Sequence, residues 1–498
     1  MKKLMTLALA AAMMLGAATG ANAIDFKAKG QWIMSFDYGM HGNFGESKAK
    51  NNSGFGKNED EFEARQRVRL QLDAVASEAL SGTVFFEIGD TNWGKNSNGG
   101  ALGADQKIVE VKNAYIDWMV PNTDLKFRMG IQGIQLPNVA GGSAILDDDV
   151  AAITASYQFN ENVALTAMWA RPYNDNYTGT DRVNYHDNMD LFALMVPLTF
   201  DGVKVTPWAM YGMAGANTNG LTSTAPYARY INNKGYAFDD TTTGKAYGSM
   251  FWAGLPISLT LWDPLNVELD INYGYVESMG RYQAERYGSA ADFRMGDTKR
   301  EGWLVKALVE YKMDWGTPGI FGWYASGDDG NVKNGSERMP SISGCGNFMS
   351  FMGDGNYGWS TSDSLYDRNM TYAGTWGIGL RIHDLSFVED LKHSFRVAYW
   401  GGTNSPAMAK YVNSSYGWQN FNADGYGEKD GPYLTTNDGL LEFNLVNSYQ
   451  IYENLEANLE LGYIVNLVDD DTWKRSYRND SYKKQDAWKA QLIIAYTF

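Results

Sequence analysis

The chain has one cysteine in 498 residues, 4 histidines, and only 12 prolines against 54 glycines. A single cysteine excludes an intramolecular disulfide framework. Beyond the first 23 residues no run of about 18 apolar residues occurs, which excludes a bundle of membrane-spanning helices. Basic residues number 42 against 58 acidic ones, a net charge of -16, and no nucleic-acid partner is expected. What is abundant is aromatic: 31 Tyr, 22 Phe and 16 Trp, a content that disordered chains lack. Length suggests roughly three domains of about 150 residues each. A mean hydropathy of -0.37 adds the look of an acidic soluble protein.

The first residues contradict that look. Lys2 and Lys3 open a stretch that is apolar from Leu4 to Leu15 except for Thr6, and Ala21-Asn22-Ala23 follows as a small-residue cleavage site. Residues 1–23 read as a secretory signal peptide, the alternative being an anchor helix for which the run is short. The cleavage region holds no cysteine, so it is not a lipoprotein signal. Removal leaves 475 residues, takes away two lysines and no acid, and moves the net charge to -18.

Past residue 23 the periodicity is two, not 3.6. Leu455, Ala457, Leu459, Leu461, Tyr463, Val465 and Leu467 alternate with Glu456, Asn458, Glu460 and Asn466. Phe62, Ala64, Val68, Leu70 and Leu72 alternate with Glu63, Arg65, Arg67, Arg69, Gln71 and Asp73. Val267 to Tyr275, Leu125 to Ile131 and Trp488 to Phe498 repeat the pattern. Successive strand side chains point to opposite faces, so each run has one apolar and one wet face. A soluble sandwich alternates too. Three features point instead to a barrel whose apolar side faces lipid. The runs span about 10 to 14 residues where globular strands have about 5 or 6. Aromatics such as Trp118, Tyr157, Phe159, Tyr311, Tyr449 and Tyr452 gather at their ends, as girdles would. Tight turns (121–124, 160–162, 201–202, 453–454) alternate with long polar stretches (39–60, 213–246, 276–300, 327–370, 402–436, 468–485).

The expected class is therefore all-β: one closed antiparallel transmembrane β-barrel over 24–498, with short periplasmic turns and long extracellular loops. Eighteen strands are expected, near 26–38, 61–76, 81–92, 107–120, 124–133, 151–159, 163–172, 188–200, 203–212, 247–260, 265–275, 301–313, 319–326, 371–382, 392–401, 437–451, 456–467 and 486–498. Sixteen is the alternative, because 247–275 and 319–326 carry the weakest signal. Either number leaves a lumen too wide for wall side chains to fill, hence water-filled.

Inside that lumen Arg65, Arg67 and Arg69 share one face of a strand, about 6.6 Å apart, and Lys126 and Arg128 share another. They line a positive wall, or simply pair with neighbouring acids. The segment from Leu136 to Val150 is small-residue-rich and partly apolar, and ends in Asp147, Asp148 and Asp149. A loop of that composition needs something to pack against; by the strand count it is the third outer loop, and its likeness to the third loop of general porins implies that it folds into the lumen, its acids facing the arginines across a constriction. The aspartates could instead cap a short helix at Val150 or bind a divalent cation. Trp208 and Trp400 fall on the polar parity and are candidates for an aromatic sugar path. Tyr185-His186-Asp187 lacks a serine at catalytic spacing, which leaves an outer-membrane enzyme as a remote alternative. Cys345 and the acid pairs Asp239-Asp240 and Asp328-Asp329, with Asp469 to Asp471, are placed in outer loops, where the acids could hold calcium.

The final Leu492, Ile494, Tyr496 and Phe498 resemble the C-terminal assembly signature of bacterial outer-membrane barrels. The architecture resembles the trimeric porins. More narrowly, Ile24-Asp25-Phe26-Lys27-Ala28-Lys29-Gly30-Gln31-Trp32, Val111 to Trp118 and Phe127 to Gln132 are similar to the homotrimeric porins of sulfate-reducing bacteria. That resemblance implies a homotrimer in the bacterial outer membrane, in contact with lipid and lipopolysaccharide and delivered by periplasmic chaperones and the barrel assembly machinery. It implies passive diffusion of small hydrophilic solutes and ions; no cofactor is expected apart from the calcium that the loop acids could hold. The Pro-Glu-Phe loop motif of the best-known general porins is absent.

Overall fold

The computed structural model describes residues 24–40, 45–47, 61–95, 99–103, 108–174, 188–215, 238–243, 247–278, 280–286, 289–344, 348–349, 372–411, 433–473 and 482–498. His41, His186 and Cys345 lie outside these, as do the first 23 residues. Eighteen antiparallel spans close into one barrel. They are β1 (Asp25–Met40), β2 (Glu61–Ser77), β3 (Leu80–Asn92), β4 (Val109–Met119), β5 (Leu125–Gln135), β6 (Asp147–Gln158), β7 (Ala164–Asn174) and β8 (Asn188–Met195 continued by Leu198–Phe200). Then come β9 (Val203–Val205 continued by Trp208–Gly215), β10 (Tyr247–Trp262), β11 (Leu265–Val276), β12 (Arg300–Tyr311) and β13 (Thr317–Ala325). The last five are β14 (Thr375–Val388), β15 (Leu391–Gly402), β16 (Gly439–Tyr452), β17 (Leu455–Asn466) and β18 (Ala487–Thr497).

Two spans are interrupted for a covalent reason. Pro197 and Pro207 have no amide N–H to give the ladder, so β8 and β9 break beside them. The carbonyls there are still used: Ala164 N donates to Pro197 O at 3.1 Å and Val196 N to Pro207 O at 3.0 Å. The regions with the weakest sequence signal, 247–275 and 319–326, are full spans paired on both sides, which excludes sixteen strands. Several stretches expected to be plain loop are not: 280–286 and 289–297, together with 238–243, form a three-stranded sheet outside the barrel order, and 45–47 pairs with 482–484.

Burial inverts what a soluble sheet shows. On β17 the apolar Leu459, Leu461 and Tyr463 are 38–41% exposed, whereas Asn458 and Glu460 on the other face are 1% exposed. A sheet that exposes leucine and hides glutamate has its apolar face in lipid. The same holds around the wall, with Ile116, Phe192, Tyr273, Trp303, Ile378 and Leu492 outward and exposed. Trp118, Tyr157, Phe159, Trp262, Tyr311 and Tyr452 ring the short-turn end. Lipid offers a backbone no hydrogen-bond partner, so every strand must be paired on both sides. The last gap is filled by β18 pairing with β1 from Gln31↔Thr497 to Met40↔Trp488.

Phe498 seals that seam. Its N–H donates to Gly30 O at 3.0 Å, its carbonyl accepts from Gly30 N at 2.7 Å, and its ring stacks on Tyr496. A Cβ on Gly30 would lie 2.5 Å from the Phe498 ring and 2.6 Å from Arg69 O. Replacing Gly30 by valine is expected to cut the yield of folded, heat-modifiable barrel several-fold on semi-native gels. The same change at Gly82, whose nearest neighbour is Tyr115 O at 4.0 Å, should leave it near wild type.

Candidate functional site: the loop-packed lumen

The inward parity of each strand sets the lumen wall. Arg65, Arg67 and Arg69 all lie on it, as their alternation required, with Arg65 and Arg67 buried. The ladder is not a bare positive surface. Arg69 Nε donates to Glu87 at 2.6 Å, Arg67 lies 3.9 Å from Asp90, and Asp73 accepts from Gln71 and Thr83. Lys126 and Arg128 converge on Asp117, at 3.5 Å and through a two-pronged pair at 2.8 and 2.9 Å. The Arg128 guanidinium also stacks 4.1 Å from the Tyr115 ring centre. Both signs of charge therefore alternate along this side.

The three aspartates begin strand β6 rather than ending a loop, and Val150 is in that strand, so no helix cap forms there. Asp147 accepts from Gln135 at 2.6 Å, Asp148 from Ser343 Oγ at 2.6 Å, and Asp149 from Asn113 at 2.7 Å and from Lys112. Each is held by wall or loop donors. Among the described residues the structure brings none of them into contact with Arg65, Arg67 or Arg69.

The segment 136–146 does fold into the lumen. Its interior side is apolar (Leu136, Ala140, Ala144, Ile145 and Leu146 are all at most 3% exposed) and it packs on wall side chains of β7 to β13. Its tip is fixed electrostatically. Asp270 Oδ2 on β11 accepts from Val139 N at 3.0 Å and Ala140 N at 3.1 Å. Lys306 on β12 sits 3.3 Å from the same carboxylate and donates to Gly142 O. The pair is sealed, with side chains 0% and 1% exposed. Trp208 on β9 adds a hydrogen bond to Pro137 O at 3.1 Å.

A second loop, read from sequence as an outer one, also enters. Residues 326–343 run beside the first segment: Ile342 N and Ser343 N donate to Ile145 O, and Asp147 N to Ser343 O. Gly274 and Gly302 allow its backbone and Pro340 to lie directly on the wall, where a Cβ would collide with Pro340 and Met339. Arg300 Nε donates to Arg338 O at 3.1 Å and Trp252 to Pro340 O at 2.9 Å. Beyond it, Asp328 accepts from Ser336 at 2.7 Å and from the Tyr433 hydroxyl at 2.5 Å, while Asn404 bridges to Gly374 and Leu434. Trp323, Trp400, Phe321, Phe348 and Tyr372 form one aromatic cluster, stacked at Phe321 and edge-on or tilted at Trp400 and Tyr372, with centroid distances of 4.4–6.4 Å. Part of the lumen is thus solid rather than water-filled. Trp208 and Trp400 are 5% and 0% exposed beneath these loops, so neither offers a ring for a sugar to slide on.

Sequence reasoning gave no site role to Asp270, Lys306 and Arg338, and read Asp328 as an outer-loop acid that could hold calcium. A signal existed for Lys306: a lone lysine in Trp303-Leu304-Val305-Lys306-Ala307-Leu308-Val309 must have an interior partner. Ser394 Oγ lies 3.4 Å from His383 Nδ1, but no carboxylate completes a catalytic set there among the described residues. No group of three or more His, Cys, Asp or Glu placed to hold a metal occurs among the described residues. Asp328 is already engaged by protein donors, and Asp469 accepts from Thr472 N.

A closed eighteen-strand wall with an apolar outer band and a charged interior spans an outer membrane, and the chain is an integral outer-membrane barrel. No family model and no curated protein matches the sequence. Similar solved structures include Pseudomonas aeruginosa OccK8 (OprE), at 11% identity over 95% of this chain and 98% of that one, with a TM-score of 0.49. Pseudomonas aeruginosa OccK11 (OpdR) gives 10%, 95%, 96% and 0.46, and Acinetobacter baumannii OccAB3 gives 10%, 95%, 99% and 0.48. None of these matches bears on the narrower resemblance to porins of sulfate-reducing bacteria.

Lys306→Met should strand Asp270 in the interior and lower stability by about 3–5 kcal/mol, the cost of an uncompensated buried charge. The double variant with Asp270→Asn, whose amide oxygen still accepts from Val139 and Ala140, should recover most of the loss in thermal unfolding followed by circular dichroism. Equal damage from single and double variants would contradict the pairing.

Glu337, in the inserted loop, is pushed up to about 7 by burial and by the nearby Asp328 and Asp329 carboxylates, against a backbone hydrogen bond from Asp329 that favours its charge. With a folded value above the usual 4.5, its contribution is full at acid pH and is lost as pH rises through about 7. Amide exchange across 326–338 should therefore be slower at pH 5 than at pH 8 after correction for intrinsic rates, and Glu337→Gln should abolish the difference.

Proposed function

We propose that the protein is an outer-membrane porin, a channel for passive diffusion of small hydrophilic solutes and ions. The observation that carries this reading is the inward segment 136–146, pinned by the sealed Asp270–Lys306 pair. It narrows the barrel on one side while charged residues of both signs line the β2 to β5 wall opposite. Solutes that replace water hydrogen bonds with those charges pass; apolar ones meet oriented water and are hindered. Arg65, Arg67, Arg69, Lys126 and Arg128 set the positive side of this wall, and Asp147, Asp148 and Asp149 contribute at the outer end of β6. Their close acid partners make ion selectivity weak. A channel rather than an enzyme, a homotrimer with one pore per subunit, lipopolysaccharide around the outer rim, and delivery by periplasmic chaperones and the assembly machinery complete the proposal.

A substrate-specific channel is the second reading. The loop packing favours it, because a partly solid lumen leaves a narrow path in which wall contacts discriminate. Liposome swelling separates the two: a smooth size cutoff with sugars of graded mass supports general diffusion, whereas a rate that saturates for one sugar among equals supports specificity. In planar bilayers, Arg65, Arg67 and Arg69 changed together to alanine should move the reversal potential toward cations. An unchanged potential removes the ladder from the selectivity filter, and a wild-type protein that conducts nothing ends the channel reading.

A further inference from the structure

Among the described residues one inward arginine is left over by the pairing scheme. Arg381 on β14 and Arg396 on β15 are direct cross-strand neighbours, an arrangement in which like charges repel. Only Arg381 is compensated, with Nε and Nη2 at 2.7 and 2.6 Å from Glu310 Oε1. Arg396 has its Nε buried without a hydrogen-bond partner, and among the described residues it is the barrel-strand arginine with no hydrogen bond and no ion pair. The carboxylates that act on it electrostatically, Glu460 and Glu442, stand outside ion-pair distance, and Glu460 is 2.9 Å from Lys489.

A hydroxyl–imidazole pair completes the setting. Ser394 lies two residues from Arg396 on the same inward face, and its hydroxyl is 3.4 Å from His383 Nδ1. His383, two residues from Arg381, has its Nε2 buried without a partner. The two arginines sit at the middle of their strands, with Ser394 and His383 two residues nearer the short turn and Trp400 four residues from Arg396 on the other side. Ser394 and neutral His383 share one hydrogen between them and keep one donor for a ligand, and a guanidinium fork beside that donor matches the planar or tetrahedral oxygens of a small oxyanion, with hydrogen bonds of the strong, charge-assisted kind.

We propose that Arg396, with the Ser394–His383 pair, forms a binding station for a small oxyanion, a carboxylate or a phosphate, at mid-height on the inner wall. This deepens the channel reading and rests on it for its physiological sense, but the site can be measured without conduction.

Detergent-solubilised full-length protein is titrated with inorganic phosphate, and separately with acetate, by equilibrium dialysis of labelled anion. Saturable binding is expected in the wild type, with Arg396→Gln weakening it roughly ten- to a hundredfold, the worth of one or two charge-assisted hydrogen bonds. Arg396→Lys, which keeps the charge and loses the fork, should fall between. Binding of both anions identifies a general oxyanion station, and binding of one alone narrows it to that class. Gly82→Val, which has room for its side chain and lies outside the charged wall, serves as the folded control and should bind as wild type. In planar bilayers the same phosphate added to chloride solution should reduce single-channel current saturably in the wild type and not in Arg396→Gln. Undiminished affinity in a folded Arg396→Gln protein, or no binding by the wild type, overturns the assignment. Binding without any channel current would leave the station standing and overturn the porin reading instead.

Discussion

The hydrogen-bonded seam between β1 and β18 is the constraint on which everything else in this molecule depends. A strand edge left open in lipid would leave a row of N–H and C=O groups with nothing to bind, at a cost of several kcal/mol for each group. Pairing Gln31 to Met40 with Thr497 to Trp488 removes that edge. Closure then fixes the two faces of every strand: leucine and aromatic side chains go out to lipid, and arginine, aspartate and glutamate have only the interior. The charged lumen follows from the seam by geometry.

A wall of eighteen strands encloses more space than its own side chains can fill. The chain answers with its connections. Segments 136–146 and 326–343 enter side by side, joined by backbone hydrogen bonds at Ile145 and Ser343, and bring their apolar side chains against Trp252, Trp323 and Phe321. Their entry needs a polar anchor as well as apolar packing, because backbone amides carried into the interior must find acceptors. Asp270 supplies one for Val139 and Ala140, and Lys306 neutralises it. On the β2 to β5 wall the charges alternate in sign, Arg65 and Arg67 buried and Arg69, Lys126 and Arg128 partly exposed. The division into a packed side and a wet side is thus one structural fact seen from two directions.

The part of this legible in the sequence was the part set by period-two alternation. The Arg65-Arg67-Arg69 face, the tight turns and eighteen strands, including the faint ones at 247–275 and 319–326, follow from alternation because a strand places its side chains by parity alone. The inward fold of 136–146 was legible from its small and apolar residues. The rest was not. Asp147, Asp148 and Asp149 read as a free acidic row, but their partners Gln135, Ser343, Asn113 and Lys112 come from separated stretches. The second inserted loop looked like any polar outer loop, since the glycines at 274 and 302 that admit it sit in other strands. Trp208 and Trp400 had the right parity for a sugar path and the wrong cover.

By itself, the sequence determined the barrel: alternation fixes which atoms face lipid and which face the lumen, and lipid then forces closure. Only the tertiary structure decided what fills that barrel. Which loop reaches which wall, and which charge is answered and which, as at Arg396, is left over, depend on distances between strands far apart in the chain. Parity carries no information about those distances.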